Sequence, residues 1–459
     1  MLFVVCVIFG VFLCIKEKAQ ADLSLFQSVL KSNMFIDKSL LLKEIINGEP
    51  LISITAPRKF GKSTNLDMIR KFLEIEVDEK GNPLPLASRS NHKLFKNNNL
   101  NIIQDEEFCK TNLGVYPVIY IDYGPLLHIG NMEDFVGKYT KVISETFSQH
   151  EYLLNNKTLW SNNSEISFFE NLITDDVKKD QIPHSFKWLS ELMRKHFGRT
   201  VFVLMDESDA VIESLIFVEN NDIFEITKLL RETENNLLQS NNEVRAVLVG
   251  VIRVFRGVCD PIISHHPFLG SEKFGRFFGI TQQELDDLLK NHITDEEKLT
   301  EMTNKINKYY SGYLLFSRGK TTIYNTWAII HFLETNTHAT DYLCRSEYLL
   351  NYRKICSVYG LTEWLQNLIL EKEVKNTHVD IHKPYFHRTE IFLLNLCLKY
   401  HIVDPDKYAT KMFLTLVYHL GYLAPLKANL QTFKIPNEAL RRELKNYIPD
   451  RPIDPLADI

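Results

Sequence analysis

The stretch from Pro50 to Ile75 limits what this chain can fold into more than any other. Leu51 to Thr55 is a short apolar, β-branched run with the composition of a buried strand. A tight loop follows, and then Leu66, Ile69 and Leu73 recur at helical spacing with Met68 and Phe72 beside them. Gly61-Lys-Ser63 sits at the junction. In that context, backbone N–H groups of the loop and unpaired N–H groups at the helix start converge on one anion, and the helix dipole adds to the attraction. Pro57, Arg58, Lys59, Phe60, Gly61, Lys62, Ser63 and Thr64 are therefore expected to surround the phosphates of a nucleotide. Lys62 would bridge the β- and γ-phosphates, the Ser63 hydroxyl would ligate Mg²⁺, and Gly61 would let the backbone approach where a Cβ intrudes. The pattern G-x-x-x-x-G-K-[ST] asks for glycine at position 56, where this chain has Ala56 followed by Pro57, so a stiffer loop is predicted. The bland alternative is a basic turn capping an ordinary helix.

A second anchor is Thr200-Val-Phe-Val-Leu-Met-Asp-Glu207, an apolar run ending in paired carboxylates. This is the Walker B arrangement. Asp206 would hold the Mg²⁺ shell through water, and Glu207 would orient and deprotonate the attacking water. Between the two anchors lies a further buried strand, Val115 to Asp122, and Val244 to Gly250 supplies a fourth. The inserted strand and the neighbouring Glu point to the ATPase branch in which that Glu is catalytic. Arg253, just past the fourth strand, is either a γ-phosphate sensor or an ordinary ion-paired arginine. Asp209 is either a further site acid or a helix cap. Four apolar strands with helical crossovers predict a P-loop α/β fold, a mostly parallel doubly wound sheet with its ligand at the strands' carboxyl ends.

The 459 residues leave room for two to three domains, and the net charge of −5 gives no support to a nucleic-acid surface. Leu2 to Ile15 is apolar apart from Gly10, and Ala19-Gln-Ala21 resembles a cleavage site. Residues 1–21 are therefore read as a signal peptide, which would place the chain outside the cell or in the endoplasmic reticulum lumen. An uncleaved N-terminal anchor on a membrane is the alternative. The seven cysteines contain no C-x-x-C pair, so buried reduced thiols are expected. Residues 78–112, rich in Asn, Lys and Pro, read as an insertion or long loop. Residues 22–285 form the expected nucleotide domain and 286–445 a mainly helical C-terminal domain, with 446–459 a frayed tail. His378-Val-Asp-Ile-His382 alternates potential metal ligands, but a solvated strand edge is the preferred reading.

Several segments come in the order seen in the AAA-ATPase-like family, which the chain resembles over residues 33–445. They are Phe35-Ile-Asp-Lys38, Pro57-Arg-Lys-Phe-Gly-Lys-Ser63, Leu204-Met-Asp-Glu-Ser-Asp209, Gly250-Val-Ile-Arg253, Tyr310-Ser-Gly-Tyr313 and Tyr324-Asn-Thr-Trp327. Leu416 to Leu423 and Lys434-Ile-Pro-Asn437 resemble its later helical segment. The family replaces the first loop glycine, which accounts for Ala56, and its strand-four arginine matches Arg253. Ser208 stands where the family usually has tyrosine. Bacterial relatives often continue into a nuclease domain near where this chain ends, so the resemblance implies an ATPase module alone.

The expected function is ATP binding with slow Mg²⁺-dependent hydrolysis, coupled to the helical domain and through it to a protein partner. The alternative is a non-enzymatic interaction protein that keeps the fold. An oligomer is compatible with either reading, though no arginine stands out to act on a neighbouring copy's nucleotide.

Overall fold

The computed structural model describes residues 24–239, 244–254, 261–316, 320–337, 354–358, 361–370, 374–375, 379, 386–401, 408–425 and 432–446. The expected signal peptide, the His378–His382 motif and the tail beyond 446 lie outside them, apart from Val379. Among the described residues no helix is long and apolar enough to cross a membrane, and Cys109, Cys356 and Cys397 are free thiols.

Five strands form one sheet: β1 (Leu51–Thr55), β2 (Val118–Asp122), β3 (Val201–Asp206), β4 (Val244–Gly250) and β5 (Ser264–His266). Their spatial order is β2-β3-β4-β1-β5 and every pairing is parallel. Every residue of β1 and β3 is buried, as continuous apolar runs require when both faces of a parallel sheet are covered. Helix α1 (Lys62–Leu73) packs on β2, β3 and β4. Helices α2 (Met132–Ser148), α3 (Ser185–Phe197) and α4 (Ile223–Leu238) pack on one another and against β2, β3 and β4 respectively. This is the expected P-loop α/β fold. The order sets β4 between β1 and β3, so three strand ends open side by side.

Two features differ from expectation. The fifth strand has only three residues, Ser264-His-His266, and pairs with the free edge of β1. The run 78–112 is not a long loop: it contains helices Ser90–Asn97 and Glu106–Asn112. Phe95 and Ile102 are fully buried from it, and the Phe95 ring lies 5.3 Å from that of Phe72 on α1. A few deep apolar anchors order a stretch whose average composition is polar.

The region beyond 285 is mainly helical, as expected, but it also carries two small antiparallel sheets. One joins Ile280–Thr281 to Lys320–Tyr324 and Tyr313–Phe316. The other joins Ala424–Pro425, Thr432–Lys434 and Val374–Lys375. The motifs at 310–313 and 434–437 pack together. Tyr310 O accepts from Asn437 Nδ2 at 3.4 Å, and the Tyr313 hydroxyl donates to Gly421 O at 2.6 Å. Gly312 has φ +140°, and a Cβ there would lie 1.8 Å from Pro436 O. Gly312→Ala is therefore expected to cost at least about 2 kcal/mol, through strain and a backbone clash together. Urea unfolding measures it, and an unchanged midpoint would show that the 436 turn yields freely.

His150 tests the nucleotide half. It is buried, its Nδ1 lies 3.1 Å from the Tyr152 hydroxyl, and its Nε2 has no partner among the described residues. Burial, aided by the Arg70 charge, pushes its pKa down to about 3. The folded state thus takes up this proton later than the unfolded chain does. Its contribution is fully present above about pH 6.5 and is lost as pH falls toward 3, at ~1.4 kcal/mol per unit. His150→Gln should gain about 2 kcal/mol relative to the parent between pH 6.5 and 5. Denaturation curves at the two pH values check this, and parallel losses in both proteins would refute it.

Candidate nucleotide site

The loop after β1 is shaped by backbone geometry. Ala56 N donates to Gly250 O at 3.0 Å, which ties the loop's start to the end of β4. Lys59 and Gly61 take left-handed conformations, with φ 67° and 84°. No protein atom lies within 4 Å of where a Gly61 Cβ would be, so within the protein it is the positive φ that asks for glycine. The space beside it is open to a ligand.

The outer side of the loop is held by residues far along the chain. Phe60 O accepts from Gly279 N at 3.0 Å, Lys59 O from Trp327 N at 3.4 Å, and Arg58 O from Asn325 Nδ2 at 3.4 Å. The Lys59 ammonium stands 3.6 Å above the Trp327 ring, and the Phe60 ring is buried edge-on against Phe268 and Tyr313. The side chains and carbonyls of Lys59 and Phe60 thus fasten the loop to the protein. Tyr324-Asn-Thr-Trp327, one of the segments that carry the family resemblance, forms the buttress of this loop.

The inner side gathers charge. Lys62 is buried, and its Nζ donates to Pro57 O at 3.0 Å. Burial lowers its pKa, and the Arg58 charge adds to this, whereas Glu207, Asp209 and Asp206 act the other way. Asp206 closes β3, 4% exposed; its Oδ1 accepts from Glu207 N at 2.9 Å and its Oδ2 from the Tyr120 hydroxyl at 3.1 Å. Burial and then the Glu207 charge push Asp206 up to about 6, against a hydrogen bond from Ser63 that favours the carboxylate. Glu207 itself has φ 45°, a left-handed backbone unusual for a non-glycine residue, which turns its side chain off the strand end. Its carboxylate meets Arg58 Nη1 at 3.3 and 3.4 Å, while Arg58 Nη2 lies 2.5 Å from Glu213.

The structure therefore brings Arg58, Lys62, Ser63, Asp206 and Glu207 together at the carboxyl ends of β1 and β3. Arg253 lies half-buried on the segment that leaves β4, the strand between β1 and β3. Asp209 does not take the expected capping role. It precedes helix α5 (Ala210–Phe217) without capping it, and instead its Oδ2 accepts from Val251 N at 2.9 Å and Ile252 N at 2.7 Å. It ties the exit of β3 to the exit of β4. Burial, then the Glu207 and Glu213 charges, raise its pKa to about 7. Sequence reasoning missed Glu213 and Tyr120. Glu213 offers one signal, a lone acid in the otherwise apolar run Ala210–Phe217.

Beside Gly61 and Thr64 opens a cavity of about 300 Å³, walled mainly by Phe26, Phe35, Met68, Phe277 and Ile280. Its floor is the first turn of α1 and its roof is the segment before β1. Lys38 at its edge is tied to Glu284 at 2.6 Å and to Arg276 O at 2.9 Å. Neighbouring Asp37 accepts from Ser39 N and from Asn101 N. The Phe35–Lys38 motif thus staples the cavity roof to two distant segments.

Among the described residues no cluster of three or more His, Cys, Asp or Glu side chains is placed to cage a metal ion. Ser63 and Asp206 offer one hydroxyl and one buried carboxylate. That donor set fits a magnesium ion that arrives with phosphate oxygens and keeps its waters, and it is too sparse for an all-protein site.

No curated protein matches the chain. The family model described as predicted AAA-ATPase, AAA-ATPase-like, matches residues 23–257, just over half of the sequence. Strands β1 to β4, the phosphate-type loop and the paired carboxylates fall inside that span, and the chain belongs to the AAA-ATPase-like family.

Proposed function

We propose that this protein binds ATP with Mg²⁺, hydrolyses it slowly and transmits the nucleotide state to its C-terminal region. The observation that carries the reading is the convergence of Lys62, Ser63, Asp206 and Glu207 at the carboxyl ends of β1 and β3. The loop backbone and Lys62 hold the phosphates, and the apolar cavity beside Thr64 receives the base. Ser63 and Asp206 would hold the magnesium ion, which when bound would supply positive charge against that of the phosphates. Glu207 takes the proton of a water whose oxygen bonds to the γ-phosphorus. The bond from that phosphorus to the bridging oxygen breaks, and ADP and phosphate leave.

Coupling has a physical route in the contacts of Gly279, Asn325 and Trp327 with the carbonyls of the loop. A loop that tightens on phosphate pulls on the strand pair 280–281 and 320–324, and so on the helices that follow. The readout would be a protein partner of the C-terminal region.

Titration of the full chain with Mg·ATP, with Lys62→Ala as control and chelation of Mg²⁺ as a second arm, tests the reading. Turnover that needs both Lys62 and Mg²⁺ supports it. A folded chain that binds no nucleotide overturns it and leaves an interaction protein built on the same fold.

A further inference from the structure

Arg58 is placed in a way that binding phosphate alone does not require. It lies in the loop, four residues before Lys62, yet its guanidinium turns inward, 12% exposed, to two carboxylates on another segment. The two contacts are unequal. Nη2 is 2.5 Å from Glu213, whose side chain is 4% exposed on the first turns of α5. Nη1 is shared between the two oxygens of Glu207 at 3.3 and 3.4 Å, and Glu207 is 21% exposed at the mouth of the cleft. One arm is anchored and the other is loosely held.

Resting on the reading of the Lys62 loop as a triphosphate site, we propose that Arg58 is the γ-phosphate-reading residue of this chain and a latch on Glu207. Before the triphosphate arrives, the loose arm holds the Glu207 carboxylate toward the loop. An incoming γ-phosphate beside Lys62 is a stronger partner for a guanidinium than a carboxylate at 3.3 Å, because it presents several charged oxygens to a planar fork of donors. Nη1 exchanges Glu207 for phosphate while Glu213 keeps Nη2 in place. Glu207 is then released to face water, and only a nucleotide carrying a γ-phosphate releases it. The guanidinium also offsets the charges of Glu213 and Asp209, which would otherwise repel the phosphate. No second subunit is needed for this arginine.

The test measures ATP and ADP affinities, each with Mg²⁺, and steady-state turnover for the full-length parent, Arg58→Ala, Arg58→Lys and Glu213→Gln. Arg58→Ala is expected to weaken ATP at least about tenfold while leaving ADP within about twofold, and to lower kcat by about 100-fold or more. Arg58→Lys should recover part of the ATP affinity but little turnover, since a single ammonium cannot hold Glu213 and phosphate at once. Glu213→Gln should lower kcat with ADP affinity unchanged, because the anchor is loosened. An Arg58→Ala protein that keeps the parental ratio of ATP to ADP affinity, or that loses both nucleotides equally, overturns the proposal and leaves Arg58 a structural ion-pair partner. Either result in a parent that still depends on Lys62 sinks this inference alone. A parent that binds neither nucleotide sinks the triphosphate site and the latch together.

Discussion

Lys62→Ala is expected to abolish measurable ATP binding, with an affinity loss of at least about 100-fold, the scale of losing a charge-assisted contact to phosphate in a dry site. The cause is that Lys62 is buried at the head of α1 with its ammonium committed to a backbone carbonyl of the same loop. That single contact does not repay the desolvation that already lowers its pKa. Phosphate oxygens would repay it. The same argument predicts that the ligand-free variant unfolds at or slightly above the parental temperature, because removing a poorly compensated buried cation relieves a cost. The pair of measurements is diagnostic: calorimetric ATP titration should lose its signal while the thermal transition persists. A variant that binds ATP within about threefold of the parent would show that the triphosphate does not sit on this loop.

The second large effect is expected at Glu207. Glu207→Gln should leave ATP binding intact, or slightly tightened by removal of a negative charge beside the triphosphate. Hydrolysis should fall by at least about 100-fold, in keeping with the loss of a general base. Glutamine keeps the shape and accepts the same left-handed backbone, so the φ of 45° at this position is carried over. Single-turnover hydrolysis of pre-bound ATP isolates the chemical step from product release. If Glu207→Gln turns over at the parental rate, Glu207 is not the base. Asp122, opposite Asp206 in the β2–β3 register and also raised by burial, would then be the next acid to substitute.

Much of the nucleotide half is legible in the amino acids. β1, β3 and β4 announce themselves as mainly apolar runs because both faces of a central parallel strand are covered, with Ser53, Thr55, Asp206 and Arg245 as their polar members. The Gly61-Lys-Ser63 junction and the Asp206-Glu207 pair are legible because they sit at strand ends, where local order alone sets chemistry at a fixed place. β5 was not legible. Ser264-His-His266 has no strand composition and becomes a strand only because the edge of β1 offers it unpaired N–H and C=O groups. The run 78–112 misled for the opposite reason: its mean polarity hid Phe95 and Ile102, two residues whose burial decides its path.

The role of Asp209 shows where local reasoning ends. Its position before α5 suggests a cap, and its acidity suggests chemistry. The competing donors, Val251 N and Ile252 N, lie more than forty residues away on the neighbouring strand's exit. Gly250 answers to the same contact, since a Cβ there would lie 2.4 Å from Asp209 Oδ1. Arg58 is the parallel case on the other side of the cleft, paired with acids 149 and 155 residues further on.

The sequence by itself determined the fold class and the placement of Lys62, Ser63, Asp206 and Glu207 beside the carboxyl ends of β1 and β3. These follow from hydrophobic periodicity and from backbone groups that must be satisfied within a few residues. Only the tertiary structure decided that Arg58 faces Glu207 and Glu213, that Trp327 and Gly279 brace the loop, and that Phe26 and Phe35 roof a cavity beside it. Those pairings join residues across up to 268 positions of chain, the separation of Lys59 and Trp327. Their strength comes from burial and charge shared between distant segments, and no local window of the sequence contains both partners.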